Sequence, residues 1–223
     1  MTTAPRDANV QRALQALEDG RSSVRLRAAM AVGSTPDPAF VGKLVERCAV
    51  EPEFFVRDML TWALTRHPVP LTLPRLLREL RSERPQARSQ ALHTLSKIGD
   101  RRAWPAITRA LLSDADDEVA RSAWRAAVVL VPEGEEAGLA GVLATQLGRG
   151  DRKVQLSLSQ ALAGLGEVIV PVLRAAAAAG EPDARAHALA TQRLLHDPGA
   201  GFGSVLEEAK RIVALTGAPQ GGG

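Results

Sequence analysis

The sequence predicts an all-α protein: a right-handed α-α superhelix of about six stacked helix pairs, closed by a final capping helix. Three observations lead there. First, the 223 residues include 38 Ala and 29 Leu, while Phe, Trp and Tyr reach only 3% and Tyr is absent. Sheets lean on β-branched and aromatic side chains, whereas Ala and Leu head the helix propensity scale. Second, one apolar pattern recurs six times, anchored at Val24, Val56, Ala87, Val119, Val154 and Ala184, with spacings of 32, 31, 32, 35 and 30 residues. Third, proline, glycine and aspartate fall between the patterned segments, where turns need them.

Each anchor opens a helix. Four positions on lie Ala28, Leu60, Ala91, Ala123, Leu158 and Ala188, and eight positions on lie Val32, Leu64, Leu95, Ala127, Leu162 and Gln192. Offsets of 0, 4, 7 and 8 define one face of an α-helix. Partner helices are expected between them, over 10–17, 40–50, 73–81, 104–112, 135–147 and 169–179, with a last helix over 204–216. Pro74, Pro105 and Pro171 are expected in first turns, where a missing N–H costs little. Ser204 and Glu207 have the spacing of a capping box opening the last helix. Two short antiparallel helices cannot bury both apolar faces alone, and stacking the pairs creates one continuous core. The expected organisation is a disordered 1–9, a single repeat domain over 10–217 and a disordered tail over 218–223.

Composition narrows the function classes. The formal net charge is +3, with 24 Arg and 4 Lys. Cys48 is the only cysteine, so the chain forms no internal disulfide and no thiolate metal cage, which fits a reducing compartment. Met1 to Gln11 has no apolar run, no leader is expected, and no apolar stretch approaches the roughly 20 residues of a membrane span. A cytoplasmic protein without membrane contact is the expectation.

The segment Thr94-Leu95-Ser96-Lys97-Ile98-Gly99-Asp100-Arg101-Arg102-Ala103-Trp104-Pro105-Ala106-Ile107, continuing through Ala110-Leu111-Leu112-Ser113-Asp114-Ala115-Asp116-Asp117-Glu118-Val119, resembles bacterial HEAT-repeat proteins of the PBS-lyase HEAT-like form. The resemblance covers about residues 10–197 and implies a solenoid whose second helices line a concave groove. It also implies a ladder between repeats, in which an acid three positions before each anchor pairs with an Arg just after it. The acid slots hold Glu53, Asp116, Asp151 and Glu181, and the Arg slots hold Arg25, Arg57, Arg88 and Arg185. The two sets coincide in the second and sixth repeats only.

On the second helices, offsets five and six are expected to avoid the core. Offset six holds Met30, Trp62, His93, Arg125, Gln160 and Ala190, and offset five includes Trp124. Trp62, His93, Trp124 and Arg125, joined by Arg27 and Gln160, form the candidate binding set, because exposed Trp and Arg concentrate binding energy. A competing placement has each Trp packed under an adjacent helix.

No catalytic residue, cofactor or metal site is expected. The resemblance brings two enzyme groups to compare. Deoxyhypusine hydroxylases hold iron through His-Glu pairs, but His67, His93, His187 and His196 are followed by Pro, Thr, Ala and Asp. Alkylpurine DNA glycosylases place an Asp near their aromatics, but Trp62, Trp104 and Trp124 have Arg66, Thr108 and Val128 four residues later. The Gly199–Ser204 stretch has no preceding strand and no following Lys, and reads as a connection rather than a phosphate loop. The expected function is a scaffold binding a protein or peptide. The alternative is a nucleic-acid binder related to those glycosylases without their chemistry, drawing on the ten Lys and Arg against four acids between Arg57 and Arg102.

Overall fold

Helices are the only regular structure among the described residues, 3–217 of a computed structural model. They alternate as first and second members of pairs. The first members are α1 (Thr3–Ala16), α3 (Phe40–Cys48), α5 (Val69–Glu79), α7 (Arg109–Leu112), α9 (Glu136–Ala144) and α11 (Val170–Ala179). The second members are α2 (Ser22–Ser34), α4 (Phe54–Thr65), α6 (Pro85–Ile98), α8 (Asp117–Leu130), α10 (Arg152–Gly164) and α12 (Pro182–His196), and α13 (Phe202–Gly217) ends the series.

Every anchor is the third residue of its second helix. The row four positions on, from Ala28 to Ala188, is buried in all six repeats, and five of the six residues eight positions on are buried. Ala at four of the six offset-four sites leaves room for close helix approach, and the Leu and Val of the eighth row supply apolar area.

Several first helices differ from expectation, each for a local reason. The first helix begins at Thr3, inside the stretch expected to be disordered. The fifth begins at Val69, four residues early, so Pro74 sits inside it rather than in its first turn. The stretch expected as one helix over 104–112 is a 3-10 turn, Arg101–Ala106, followed by the four-residue α7. Pro105 cannot donate to a continuing ladder, and two caps reset the backbone: Asp100 accepts from the Arg102 N–H, and Thr108 accepts from the Leu111 N–H. α13 starts at Phe202, so Ser204 lies within its first turn and the Ser204–Glu207 capping box does not form.

The chain divides into two compact units, Met1–Ile107 and Thr108–Gly223. The division falls between the 3-10 turn and α7. The expected tail over 218–223 lies outside the described residues.

The expected ladder takes another form. Asp116 and Asp151 cap the helices they precede, Asp116 accepting from Glu118 and Val119 and Asp151 from Lys153 and Val154. Glu53 and Glu181 hold the same N-cap position without a side-chain bond; Asp, one methylene shorter, has the reach this cap favours. The Arg just after the anchor clamps the preceding turn. Arg25 donates to the Asp19 and Gly20 carbonyls, Arg57 to those of Glu51 and Pro52, and Arg88 to those of Ser82 and Glu83. Gln155 does the same toward Gly148 and Gly150. In the fourth repeat Ala120 has no such reach, and Arg149 from the following repeat bonds the Asp114 carbonyl instead while pairing with Asp117 at 2.8 Å. Each clamp satisfies turn carbonyls that lie outside the helix ladders.

Candidate functional site

In the first unit, α2, α4 and α6 run the same way, each separated from the next by one reversing helix, and α4 packs against both α2 and α6. Their offset-six residues sit side by side on this face. Met30 is 47% exposed and Trp62 39%, and His93 is half-buried. Trp62 is held by a glycine. A Cβ built on Gly33 would meet Trp62 Cζ3 at 2.3 Å and Cε3 at 2.7 Å, so the indole lies directly on the backbone of α2. One side of the ring is thereby fixed, and the rest reaches solvent beside Met30, which is three residues before Gly33 on the same helix face. Arg27, one turn before Met30, is exposed and donates from Nε to the Ser23 carbonyl at 3.2 Å.

The other candidates belong to the second unit. Trp124 is a correction: it is fully buried, and its Nε1–H donates to the Leu112 carbonyl at 2.8 Å. The offset-five row follows it inward, with Ala29, Thr61, Leu92 and Ser159 buried and Leu189 half-buried. On a helix, offset five lies beside the offset-eight and offset-one residues that line the stack, and close packing of neighbouring second helices widens the buried stripe to include it. Arg125 reaches solvent and donates to Ser122 Oγ at 3.1 Å. Partial burial of its guanidinium, then the charge of Arg121, pushes its pKa below the usual arginine value. Gln160 is exposed. The sixth-row position on α12, Ala190, is fully buried because α13 lies over it, with Phe202, Leu206, Ala209 and Val213 packed against Ala186, Ala190 and Leu194.

Two polar clusters escaped the sequence reading. In the first unit, Arg25 Nε and Nη2 each reach Glu51 at 2.7 Å, and Arg47 Nε adds a bond at 2.9 Å. Burial pushes the Glu51 carboxyl up, but Arg25, the Glu53 N–H and Arg47 outweigh it and hold the pKa at about 2. The sequence offered Glu53 as the ladder acid, two residues away. In the second unit, His187 is fully buried. Its Nδ1 accepts from the Gly148 N–H at 3.0 Å, and its Nε2 lies 3.0 Å from the Gln155 carbonyl and 2.9 Å from Ser159 Oγ, itself 2.8 Å from Thr191 Oγ1. Burial pushes the His187 pKa down to about 4. Thr191, a polar residue at offset seven on the core face, was the available signal.

No group of three or more His, Cys, Asp or Glu among the described residues could hold a metal ion. Cys48 is buried, and burial pushes its thiol up to about 12. A cleft of about 720 Å³ opens at the start of α13 beside Gly203, lined by Arg152 and Arg211 but also by Glu207 and Glu208. Those carboxylates oppose an anion, so the glycine-rich connection does not read as a phosphate cradle. A second cleft, about 690 Å³, lies between α1 and α2 with Val10, Ala13, Ala31 and Phe40 in its wall. Neither touches the Trp62 face. No single helix is long and apolar enough to cross a membrane among the described residues.

A family model of HEAT repeats matches residues 56–127. The match runs from the Val56 anchor to Ala127, the offset-eight residue of α8, and so contains three of the second helices that the repeat register placed. Among solved structures, the chain is similar to an engineered protein at 21% identity, over 93% of this chain and 97% of that one, with a TM-score of 0.48. It is similar to human deoxyhypusine hydroxylase in complex with glycerol at 18% identity, over 95% and 96% of the two chains, with a TM-score of 0.49. No curated protein matches the chain. The exposed face of α2, α4 and α6 combines an indole seated on a glycine, a neighbouring thioether and the Arg27 cation.

Proposed function

We propose that the chain is a non-enzymatic HEAT-repeat scaffold that takes a protein or peptide partner on the exposed face of α2, α4 and α6. The observation that carries this reading is Trp62, seated on Gly33 yet 39% exposed beside Met30, itself 47% exposed. A ring already immobilised loses little rotamer entropy when a partner covers it, and aromatic anchors of this kind dominate interface energies. The histidines support the non-enzymatic part. His187 is tied into a neutral hydrogen-bond network, and His67 and His196 each bond a backbone carbonyl of their own helix turn at 2.8 Å.

The test is affinity capture from source lysate with the full chain and two variants, read by mass spectrometry with and without nuclease. Wild type and Arg78→Ala, which alters an exposed residue of a first helix, retain the same partner after nuclease. Trp62→Ala, checked for intact fold by circular dichroism, loses it. An identical captured set with Trp62→Ala refutes the reading, and capture abolished by nuclease transfers it to nucleic acid.

A further inference from the structure

We infer that the occupant of the Trp62 face is an acidic peptide segment carrying a bulky apolar side chain at its centre, an inference that rests on the scaffold reading above. The face has an apolar middle and a basic margin. Met30 and Trp62 provide the middle, and both are exposed. Arg27 lies one turn before Met30 on α2, Arg66 one turn after Trp62 on α4, and Lys97 one turn after His93 on α6, and all three are exposed. Offsets three, six and ten on these helices therefore present three cations and no carboxylate. One exposed acid shares the face, Asp58, one turn before Trp62 on α4, so the margin holds three cations against one carboxylate. Arg66 and Lys97 make no ion pair among the described residues, in contrast to Arg25, Arg47 and Lys43 of the same unit, which are all paired. A carboxylate on either side of the anchored side chain would meet a cation left unmatched by the fold, and like-charged or neutral segments would not.

A nucleic acid fits this face less well. Stacking of successive bases needs a series of open aromatic rings, and Trp62 is the one exposed aromatic ring among the offset three, six and ten residues of these helices. A thioether beside it suits an aliphatic or aromatic side chain, because sulfur packs readily against both.

The experiment is fluorescence polarisation with the full chain and labelled synthetic probes. The first is a peptide with a central Leu-Phe pair flanked by runs of Glu. The others replace Glu by Lys, replace Leu-Phe by Ser-Ser, or are a single-stranded oligothymidylate of similar length. The acidic Leu-Phe peptide should bind saturably and weaken with added salt. Arg66→Glu with Lys97→Glu should weaken it by about tenfold or more, and Trp62→Ala by a comparable factor. Both variants change exposed side chains, and circular dichroism and melting verify their fold. Equal binding of the Lys peptide, preferential binding of the oligonucleotide, an unchanged affinity after the double charge reversal, or no saturable binding by any probe overturns the inference. The two readings fail separately: a lysate partner lost with Trp62→Ala while the acidic probe fails to bind leaves the scaffold standing and removes only the acidic class.

Discussion

Acidification should weaken the second unit through one buried histidine. His187 is fully buried, and both ring nitrogens are committed: Nδ1 to the Gly148 N–H, Nε2 to the Gln155 carbonyl and Ser159 Oγ. Because Nδ1 accepts, the folded ring is the neutral Nε2–H tautomer, and protonation would break the Gly148 bond and bury a charge. Phe202 lies edge-on at 5.9 Å and supplies no counter-charge. The folded pKa stands at about 4 against an ordinary value of 6.5. Since the folded value is depressed, the unfolded chain binds the proton first. Stability is full above pH 6.5, falls as pH drops from 6.5 toward 4, and levels off below. The difference of two and a half units corresponds to about 3 kcal/mol. The assay is urea denaturation followed by far-ultraviolet circular dichroism at several pH values, comparing wild type with His187→Gln. The variant should be less stable at neutral pH, because Gly148 N–H loses its acceptor, but its stability should vary less across the window. All other titrating groups are common to both proteins and cancel in the comparison. Parallel pH profiles for the two proteins would refute the argument.

Three further perturbations test the packing. Glu51→Ala leaves the buried Arg25 guanidinium without its carboxylate and should cost about 3–5 kcal/mol, and a loss below about 1 kcal/mol in equilibrium denaturation would show that water reaches the guanidinium in the folded protein. Ala123→Asp buries a charge at a site with no exposed surface, costing several kcal/mol, and a melting temperature within about a degree of wild type would contradict the offset-four packing. Gly33→Ala places a methyl within 2.3 Å of the Trp62 ring; although Ala favours helix by about 1 kcal/mol, the ring must move off α2, so the variant should show greater acrylamide quenching of tryptophan and no gain in stability. A stabilised variant with unchanged quenching would mean that the ring does not rest on Gly33.

The sequence by itself determined the helical class, the repeat and its register, because these depend on near-neighbour spacing. The anchors from Val24 to Ala184 each landed on the third residue of a helix, and the offset-four row was buried throughout. Periodicity of 3.6 residues is a local property, and a stack multiplies it by six. What it could not determine was how wide the buried stripe becomes. Trp62 and Trp124 sit one offset apart in successive even-numbered repeats, yet one lies at the surface and the other has no exposed area. That difference depends on which residues the neighbouring helices present: Gly33 gives the Trp62 ring a flat seat, and the short α7 turns its Leu112 carbonyl toward the Trp124 Nε1–H. The polar pairings were hidden for the same reason. Glu51 rather than Glu53 meets Arg25, and His187 closes on Gly148 across 39 residues of chain, because a hydrogen bond is set by distance and angle in space, and these arise only when separate helices have packed.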